Sequence, residues 1–346
     1  MSAPKPDLVV AVTGPTGTFG FGLMPLLEAD ERIGRVVGVA RRPFDPAAHG
    51  WTKLTYQRGD VRDLAALEQA FRSADVVVHL AFLITGTAGR STTREINVDG
   101  SLNALRAAAA VGARRFVFAS SVAAYGFHAD NPVGMTEEWP VRPATRLFYA
   151  QEKAELEHLL AAEAARHRGL GLYLLRPSIV LGPHTVGAKG TVPGALATVV
   201  SRLNAGRARL PVGLPVPVPR LPVQFVHEDD VGRALLQCIV GAGPPGAYNI
   251  AGDGVLSTTD VARELGLVPI PVPGRLARLP ARAFTALAGL PLAPPALGWA
   301  EVVEHPAVMD TTKAKRELGW RPRFTGLEAL RATLRGTGDR SAGVAP

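Results

Sequence analysis

The stretch LVVAVTGPTGTFG, residues 8–20, constrains the fold more than any other part of this chain. An apolar run suited to a strand enters three glycines, Gly14, Gly17 and Gly20, and the residues beyond read as a helix. Glycines at this spacing let a backbone turn tightly, approach a pyrophosphate closely and pack a helix against the strand. The first helical turn, with Thr18 and Phe19, presents unpaired N–H groups and a positive dipole end to that anion. A strand–turn–helix of this kind at the start of a chain predicts a dinucleotide-binding domain.

The rest of the first half has the texture such a domain needs. Apolar runs recur at RVVGVA (35–40), DVVVHLA (75–81), RFVFAS (115–120) and GLYLLR (171–176), each uniformly apolar, as strands covered on both faces are. Between them lie helix-like segments at 64–74, 100–112 and 149–169. The alternation predicts an α/β fold, a doubly wound parallel sheet of Rossmann type. After Pro177 glycine and proline become frequent, with one helical piece near 195–204. QFVHEDDVGRALLQCIV and AYNIAG then read as a strand–helix–strand return to the sheet. The expected division is a dinucleotide domain from 1–178 and about 222–253, and a smaller, discontinuous C-terminal substrate domain from 179–221 and about 254–335. Residues 336–346 read as a flexible tail.

The end of the second strand bears on which dinucleotide binds. An Asp or Glu there holds the ribose 2′-hydroxyl of NAD. RVVGVARRP instead has Ala40 followed by Arg41 and Arg42, and guanidinium groups grip phosphates in bidentate fashion. NADP is therefore the expected cofactor, with NAD as the alternative.

Composition narrows the partners. The net charge of +8 comes from scattered arginines, with no basic block and few aromatics, so a nucleic-acid partner is not expected. The single cysteine, Cys238, sits in an apolar run and reads as a small core hydrophobe, which favours a reducing, cytoplasmic setting. Residues 283–300 carry no charge, but Pro291, Pro294 and Pro295 interrupt them, so the segment reads as an apolar pocket wall and stable membrane insertion is not expected. Glu228, Asp229 and Asp230 have no accompanying ligand cluster and read as acids capping the helix that follows, so no metal is expected.

Candidate chemistry lies in YAQEK, residues 149–153. On a helix, Tyr149 and Lys153 share a face one turn apart. A phenol with a pKa of about 10 is a poor acid–base group at neutral pH unless an ammonium and a cationic nicotinamide draw it down. Serines at the end of RFVFASS could hold a substrate oxygen against the phenol. That trio suits hydride transfer at a carbon bearing O–H or C=O.

These motifs, in this order, resemble the extended short-chain dehydrogenase/reductases, the NAD-dependent epimerase/dehydratase family, over most of the chain. TGPTGTFG is similar to the family's glycine loop, and GDVRD places Asp60 and Val61 where the family contacts adenine. HLAF, with Leu80, Ala81 and Phe82, resembles the segment beneath the cofactor, and INVDGSLN carries the family's Asn-Val-x-Gly at Asn97. SSVAAYG resembles the catalytic serine motif, which implies Ser121 as catalytic and Ser120 as its neighbour near the cofactor. Tyr149 and Lys153 match YxxxK, implying an acid/base and a ribose-binding lysine. LRPSIVLGP resembles the strand exit that packs on nicotinamide, through Pro177 and Ile179. FVHEDDV, YNIAG and KRELGWRP resemble late framework motifs. Relatives often dimerise through two long helices, here 90–112 and 146–168, so a homodimer is expected by analogy.

Departures from the family narrow the chemistry. Dehydratases place an acidic pair after the serine, where this chain has Val122 and Ala123. Epimerases of nucleotide sugars place a diphosphate-binding arginine just before the FVHEDD-type motif, where this chain has Val223 and Gln224, with Arg220 several residues away. The expectation is an NAD(P)-dependent oxidoreductase acting at a secondary alcohol or ketone of a neutral or hydrophobic small molecule. A nucleotide-sugar 4-epimerase with tightly bound NAD is the alternative. A non-catalytic NAD(P)-binding sensor is the second alternative. His79 and His227 read as structural, and Tyr125 as core or pocket lining.

Overall fold

In the computed structural model of the chain, residues 8–84, 89–185, 215–272, 305 and 307–341 are described, the side chains only as far as 335. The expected helical piece at 195–204 and the uncharged stretch 283–300 lie outside these residues.

Seven strands form one parallel sheet. They are β1 (Leu8–Thr13), β2 (Ile33–Ala40), β3 (Leu54–Arg58), β4 (Val76–His79), β5 (Arg115–Ala119), β7 (Gly171–Pro177) and β12 (Gly246–Ile250). Their order is β12-β7-β5-β4-β1-β2-β3. The chain steps outward from β1 through β2 to β3, then returns to pair β4 with the other side of β1. The strand order therefore reverses between β1 and β4, and at such a point a crevice opens beyond the carboxyl ends of the strands.

Alternation along β1 explains its unbroken apolar sequence. Val10 and Val12 pack with Leu23 and Leu27 of α1 (Thr18–Ala29) and with Cys238 of α6 (Glu228–Val240). Ala11 faces the opposite layer, where Leu67 of α2 (Leu64–Ala70), Leu105 of α4 (Gly100–Ala110) and Leu156 and Leu160 of α5 (Phe148–Ala164) close the second core. Strand β3 carries no apolar run in the sequence because it is the sheet's edge, and its burial pattern leaves Thr55, Gln57 and Arg58 exposed.

Between β4 and α4 the chain forms a short helix α3 (Arg90–Arg94) and a π-turn over Glu95–Asp99 that runs directly into α4. Strand β11 (Phe225–His227) does not join the main sheet as expected; it pairs with the three-residue β8 (Ile179–Leu181), and only β12 returns to the large sheet. Outside it, β6 (Val133–Met135) pairs with β15 (Val308–Met309), β9 (Pro215–Pro219) with β14 (Val268–Val272), and β10 (Pro222–Val223) with β13 (Leu256–Ser257). Three further helices, α7 (Thr258–Glu264), α8 (Thr312–Glu317) and α9 (Gly326–Ser341), complete the described fold. Helix α9 runs into the segment expected as a tail.

The acids of HEDD do not cap their own helix, as the sequence suggested. The cap is His227, whose ring nitrogen accepts from the Asp229 N–H at 3.2 Å. Asp230 instead accepts from the backbone N–H groups of Arg323 and Phe324, at 2.9–3.0 Å, and so ties the late RPRF segment to α6. His227 stacks on Phe324 at 4.1 Å, a structural position like the one expected for it.

Helices α1 and α6 touch backbone to backbone. A Cβ on Gly232 would lie 2.1 Å from the carbonyl oxygen of Gly22, and one on Gly22 would lie 2.4 Å from that of Glu228. Overpacking typically costs about 1–3 kcal/mol, and a methyl driven into rigid backbone belongs at the upper end. Gly232→Ala is expected to lower the unfolding free energy by that amount, seen as a lower urea midpoint with the m value unchanged. A midpoint equal to the wild type would show that the two helices are not pressed together.

Candidate active site

At the carboxyl end of β1, Gly14 has φ +70°, and a Cβ there would come within 2.9 Å of the Ala81 backbone nitrogen. A Cβ on Gly20 would collide with the Pro15 carbonyl oxygen at 2.0 Å. Glycine is therefore required at both positions for the loop to pass this close to its neighbours. Gly17 is the N-cap residue of α1 and offers no side-chain cap, so the first-turn N–H groups at Thr18 and Phe19 have none from it.

At the end of β2, Arg41 and Arg42 are exposed. Their backbone is held from β3: the Tyr56 hydroxyl donates to the carbonyls of Ala40 (3.2 Å) and Arg42, and Arg58 Nε donates to the carbonyl of Arg41 (3.1 Å). Two guanidinium groups thus project from a braced strand end with no β2 carboxylate beside them. Asp60 pairs with Arg62 at 2.8 Å; hydrogen bonds with Arg62, and to a lesser degree the charge of Arg41, hold its carboxyl below the usual range. Val61 is buried against the start of α4.

At the end of β4, His79 is fully buried between Thr13 Oγ1 (2.7 Å) and Ser101 Oγ (2.9 Å). Burial, with some repulsion from Lys153, drives its imidazole down to about 3, so the ring is a neutral brace between β1 and α4. The chain continues through Leu80, Ala81 and Phe82 across the floor of the crevice. Asn97, in the π-turn, holds that floor: its Oδ1 accepts from Leu83 N–H at 2.8 Å, and its Nδ2 donates to the Leu83 carbonyl at 2.9 Å and to Glu152 Oε2 at 2.7 Å. Asn97 thus clamps the 80–84 segment to α5.

β5 ends at Ala119, and after Ser120 and Ser121 the chain enters a 3₁₀ turn over Val122–Tyr125. Ser121 and Tyr149 share a side-chain hydrogen bond, so two of the three candidate catalytic residues meet directly. One turn further along α5, the Lys153 ammonium donates to the Ala119 carbonyl at 2.8 Å and lies 3.6 Å above the centre of the Phe82 ring. It is 5.8 Å from the centre of the Tyr149 ring, and Phe82 meets that ring edge-on at 5.7 Å. Pro177 is buried at the end of β7, and Ile179, 42% exposed, follows at the same edge.

The electrostatics differ from the simple expectation of a phenol made acidic by its lysine. Burial pushes the Tyr149 phenol up to about 12, and the Ser121 hydrogen bond only partly opposes it. Burial also pushes Lys153 down to about 7, against the pull of Glu157 and then Glu152. A desolvated site disfavours both charged forms. The unfolded chain therefore binds more protons at Lys153 than the folded one between about pH 7 and 10.5, and the destabilisation is complete below that window and fades through it. Lys153→Met is accordingly expected to raise the melting temperature more at about pH 6 than at about pH 10. Equal shifts at the two pH values would contradict this.

The Ser120 side chain is buried and engaged by α5. Its hydroxyl donates to Glu157 Oε1 at 2.5 Å, and Glu157 is held by Arg176 Nη2 at 2.5 Å. Neither Glu157 nor Arg176 stands out in the sequence, and the only local hint is that Glu157 falls at the helical spacing that continues from Tyr149 and Lys153. Glu152, also buried and also without a sequence signal, has its carboxyl raised by burial. Tyr125 is fully buried and hydrogen-bonds Asn249, in agreement with a core position. Among the described residues no cluster of His, Cys, Asp or Glu could hold a metal, and no helix is long and apolar enough to cross a membrane.

A parallel sheet with a glycine cradle at its switch point, and Ser, Tyr and Lys gathered at the same edge, defines a dinucleotide-binding protein of the extended short-chain dehydrogenase/reductase fold. The chain belongs to the NAD dependent epimerase/dehydratase family, whose model matches residues 10–251. A protein of Mycobacterium tuberculosis is 28% identical over 97% of this chain and 85% of its own length. Sterol demethylase protein B of Methylococcus capsulatus is 32% identical over 51% of this chain and 52% of its own. Among solved structures, the UDP-glucose 4-epimerase of Thermotoga maritima, with UDP-glucose, superposes with a TM-score of 0.70 over 95% of this chain and 98% of that one, at 21% identity.

Proposed function

We propose that the protein is an NADP-dependent reductase or dehydrogenase acting at a secondary alcohol or ketone of a neutral, largely apolar small molecule. The observation that carries this reading is the Ser121–Tyr149 hydrogen bond beside a buried Lys153, at the sheet edge that also bears the glycine loop. Gly14, Gly17 and Gly20, with the N–H groups of Thr18 and Phe19, would hold the pyrophosphate. Leu80, Ala81, Phe82, Pro177 and Ile179 would line the nicotinamide and its ribose, and Arg41 and Arg42 would take a 2′-phosphate. The dinucleotide, when bound, supplies or accepts the hydride.

The chain's own groups handle the proton and the orientation. Ser121 holds the substrate oxygen in reach of Tyr149 Oη. A phenol near 12 is protonated at neutral pH, the state needed to donate as a carbonyl oxygen gains negative charge. Oxidation requires the reverse, a phenolate, which a cationic nicotinamide and a charged Lys153 would favour. The protonation state of Tyr149 thus follows the redox state of the cofactor, and reduction is the direction the bare site is set for.

Substrate class follows from what surrounds the trio. Val122 and Ala123 follow Ser121 where an acid would be needed to eliminate water. Gln224, at the position where a diphosphate ligand would be sought, is already committed: its amide donates to the Met309 carbonyl (3.0 Å) and accepts from the Met309 N–H (2.8 Å). The relative whose name refers to sterol demethylation is consistent with an apolar ring substrate. The fold shared with the Thermotoga epimerase keeps a nucleotide-sugar 4-epimerase with bound NAD as the second reading. Mass spectrometry of the cofactor retained on purification, followed by a screen of ketones and sugar nucleotides, separates them. Stoichiometric NADPH oxidation with a ketone is the expected result. Retained NAD, with interconversion of a sugar nucleotide and no net absorbance change, would overturn it.

A further inference from the structure

Behind the candidate catalytic trio lies a buried polar chain that the mechanism above does not use. Glu157 and Arg176 are 3% and 5% exposed. Arg176 donates to Glu157 through Nε (3.0 and 3.1 Å) and Nη2 (2.5 Å), and its Nη1 donates to the Tyr125 hydroxyl at 2.7 Å. Tyr125 in turn donates to Asn249 Oδ1 on β12 at 2.8 Å, and the Asn249 amide donates to the Met135 carbonyl on β6 at 2.9 Å. At the other end, Ser120 donates to Glu157, and Ser120 lies between Ala119, whose carbonyl receives Lys153, and Ser121, which pairs with Tyr149.

Two separate lines therefore converge on Glu157. Through Ser120 it holds the segment that leaves β5 between Ala119 and Ser121, and from one turn beyond Lys153 on α5 its charge opposes the desolvation of that ammonium. We propose that Glu157, pinned by Arg176, is a positioning residue of the site: it sets the placement of Ser121 and keeps Lys153 in its ammonium form. The proposal rests on the reductase reading above only for its activity readout.

The groups facing Lys153 are few enough to separate. On α5 they are Tyr149, Glu152 and Glu157; from β4 the neutral His79; from the floor the uncharged Phe82; from β5 the Phe118 ring and the Ala119 carbonyl; and beyond Glu157, Arg176 of β7. Glu157→Gln keeps an acceptor for Ser120 but removes the negative charge, leaving the Arg176 cation uncompensated on the same side.

The test uses the full chain labelled with ¹⁵N at lysine side chains, with Lys153 assigned through Lys153→Arg; the sequence has six lysines, which keeps the spectrum simple. Neutralising Glu157 is expected to move the Lys153 titration down by roughly one pH unit, on the scale of a lost opposite charge nearby. The alkaline limb of kcat for reduction is expected to move with it. Glu157→Asp, which keeps the charge on a shorter arm, should leave the titration near wild type while lowering kcat.

A folded Glu157→Gln protein with an unshifted Lys153 titration overturns the proposal, because a merely structural ion pair would change stability without moving that midpoint. Should Glu157→Gln not fold, Glu157→Asp decides: a lowered kcat with the Lys153 midpoint kept supports the proposal, and an unchanged kcat overturns it. If no ketone is reduced by the wild type, the reductase reading fails, and the Lys153 titration still decides this proposal.

Discussion

Replacing Tyr149 by Phe is expected to lower kcat by about 10²–10⁴-fold, the usual worth of a positioned general acid or base, while the dissociation constant for NADPH stays within a few-fold of wild type. Phe82 meets the Tyr149 ring edge-on, and Lys153 lies 3.6 Å above Phe82 and 5.8 Å from the Tyr149 ring, so a phenyl ring at 149 keeps these neighbours in place. What is lost is the hydroxyl, its hydrogen bond with Ser121 and the proton it carries. Because that proton is needed only as charge develops on the substrate oxygen, the loss should fall on kcat rather than on cofactor binding. Steady-state kinetics with the best ketone found, paired with a fluorescence titration of NADPH, checks both halves. A Phe variant within about three-fold of wild-type kcat would remove Tyr149 from the chemistry and favour the reading of a binding protein, since a single lost catalytic acid cannot cost so little.

How much of this is legible in the sequence depends on how far apart the interacting residues lie. The glycine loop, the β-α alternation and the Tyr149–Lys153 spacing are local patterns, and each is found where the sequence predicts it: Gly14 at positive φ, β1 buried on both faces, Tyr149 and Lys153 on one face of α5. Strand β3 gives no signal because an edge strand carries polar residues, and β11 pairs outside the expected sheet because three residues hold no record of their partner. The role of Asp230 is hidden for a similar reason: an acid in a first helical turn looks like a cap, and nothing nearby reveals that its ligands are backbone groups more than ninety residues away. The Glu157–Arg176 pair spans nineteen residues and makes sense only once β5 and β7 are adjacent. The elevated Tyr149 is also a product of the assembled fold, because desolvation comes from neighbours that the spacing of YAQEK does not name.

Arg41→Asp, and more fully the pair Arg41→Asp with Arg42→Ala, is expected to invert the cofactor preference. Hydrogen bonds to charged groups are worth about 1.5–3 kcal/mol, which corresponds to roughly 10–10²-fold in the KM for NADPH for each guanidinium–phosphate hydrogen bond removed. NADH, having no 2′-phosphate, should be affected little or be bound better, since an acid at this position can accept from the ribose hydroxyl. The structure adds two reasons to expect a clean effect. The strand end is braced through backbone carbonyls by Tyr56 and Arg58, so the side chains at 41 and 42 can change without moving the loop. Asp60 already feels the charge of Arg41, and an aspartate there would place two carboxylates beside the position a phosphate would occupy, turning attraction into repulsion. Both arginines are exposed, so the discrimination of the wild type should also weaken as salt rises, over the range in which the screening length shrinks to about 10 Å and below. The measurement is the ratio of kcat/KM for NADPH to that for NADH, in wild type and variant, at low and high salt. A wild type that prefers NADH, or a variant that keeps its NADPH preference, would mean that these guanidinium groups only solvate the strand end and take no part in choosing between the two dinucleotides.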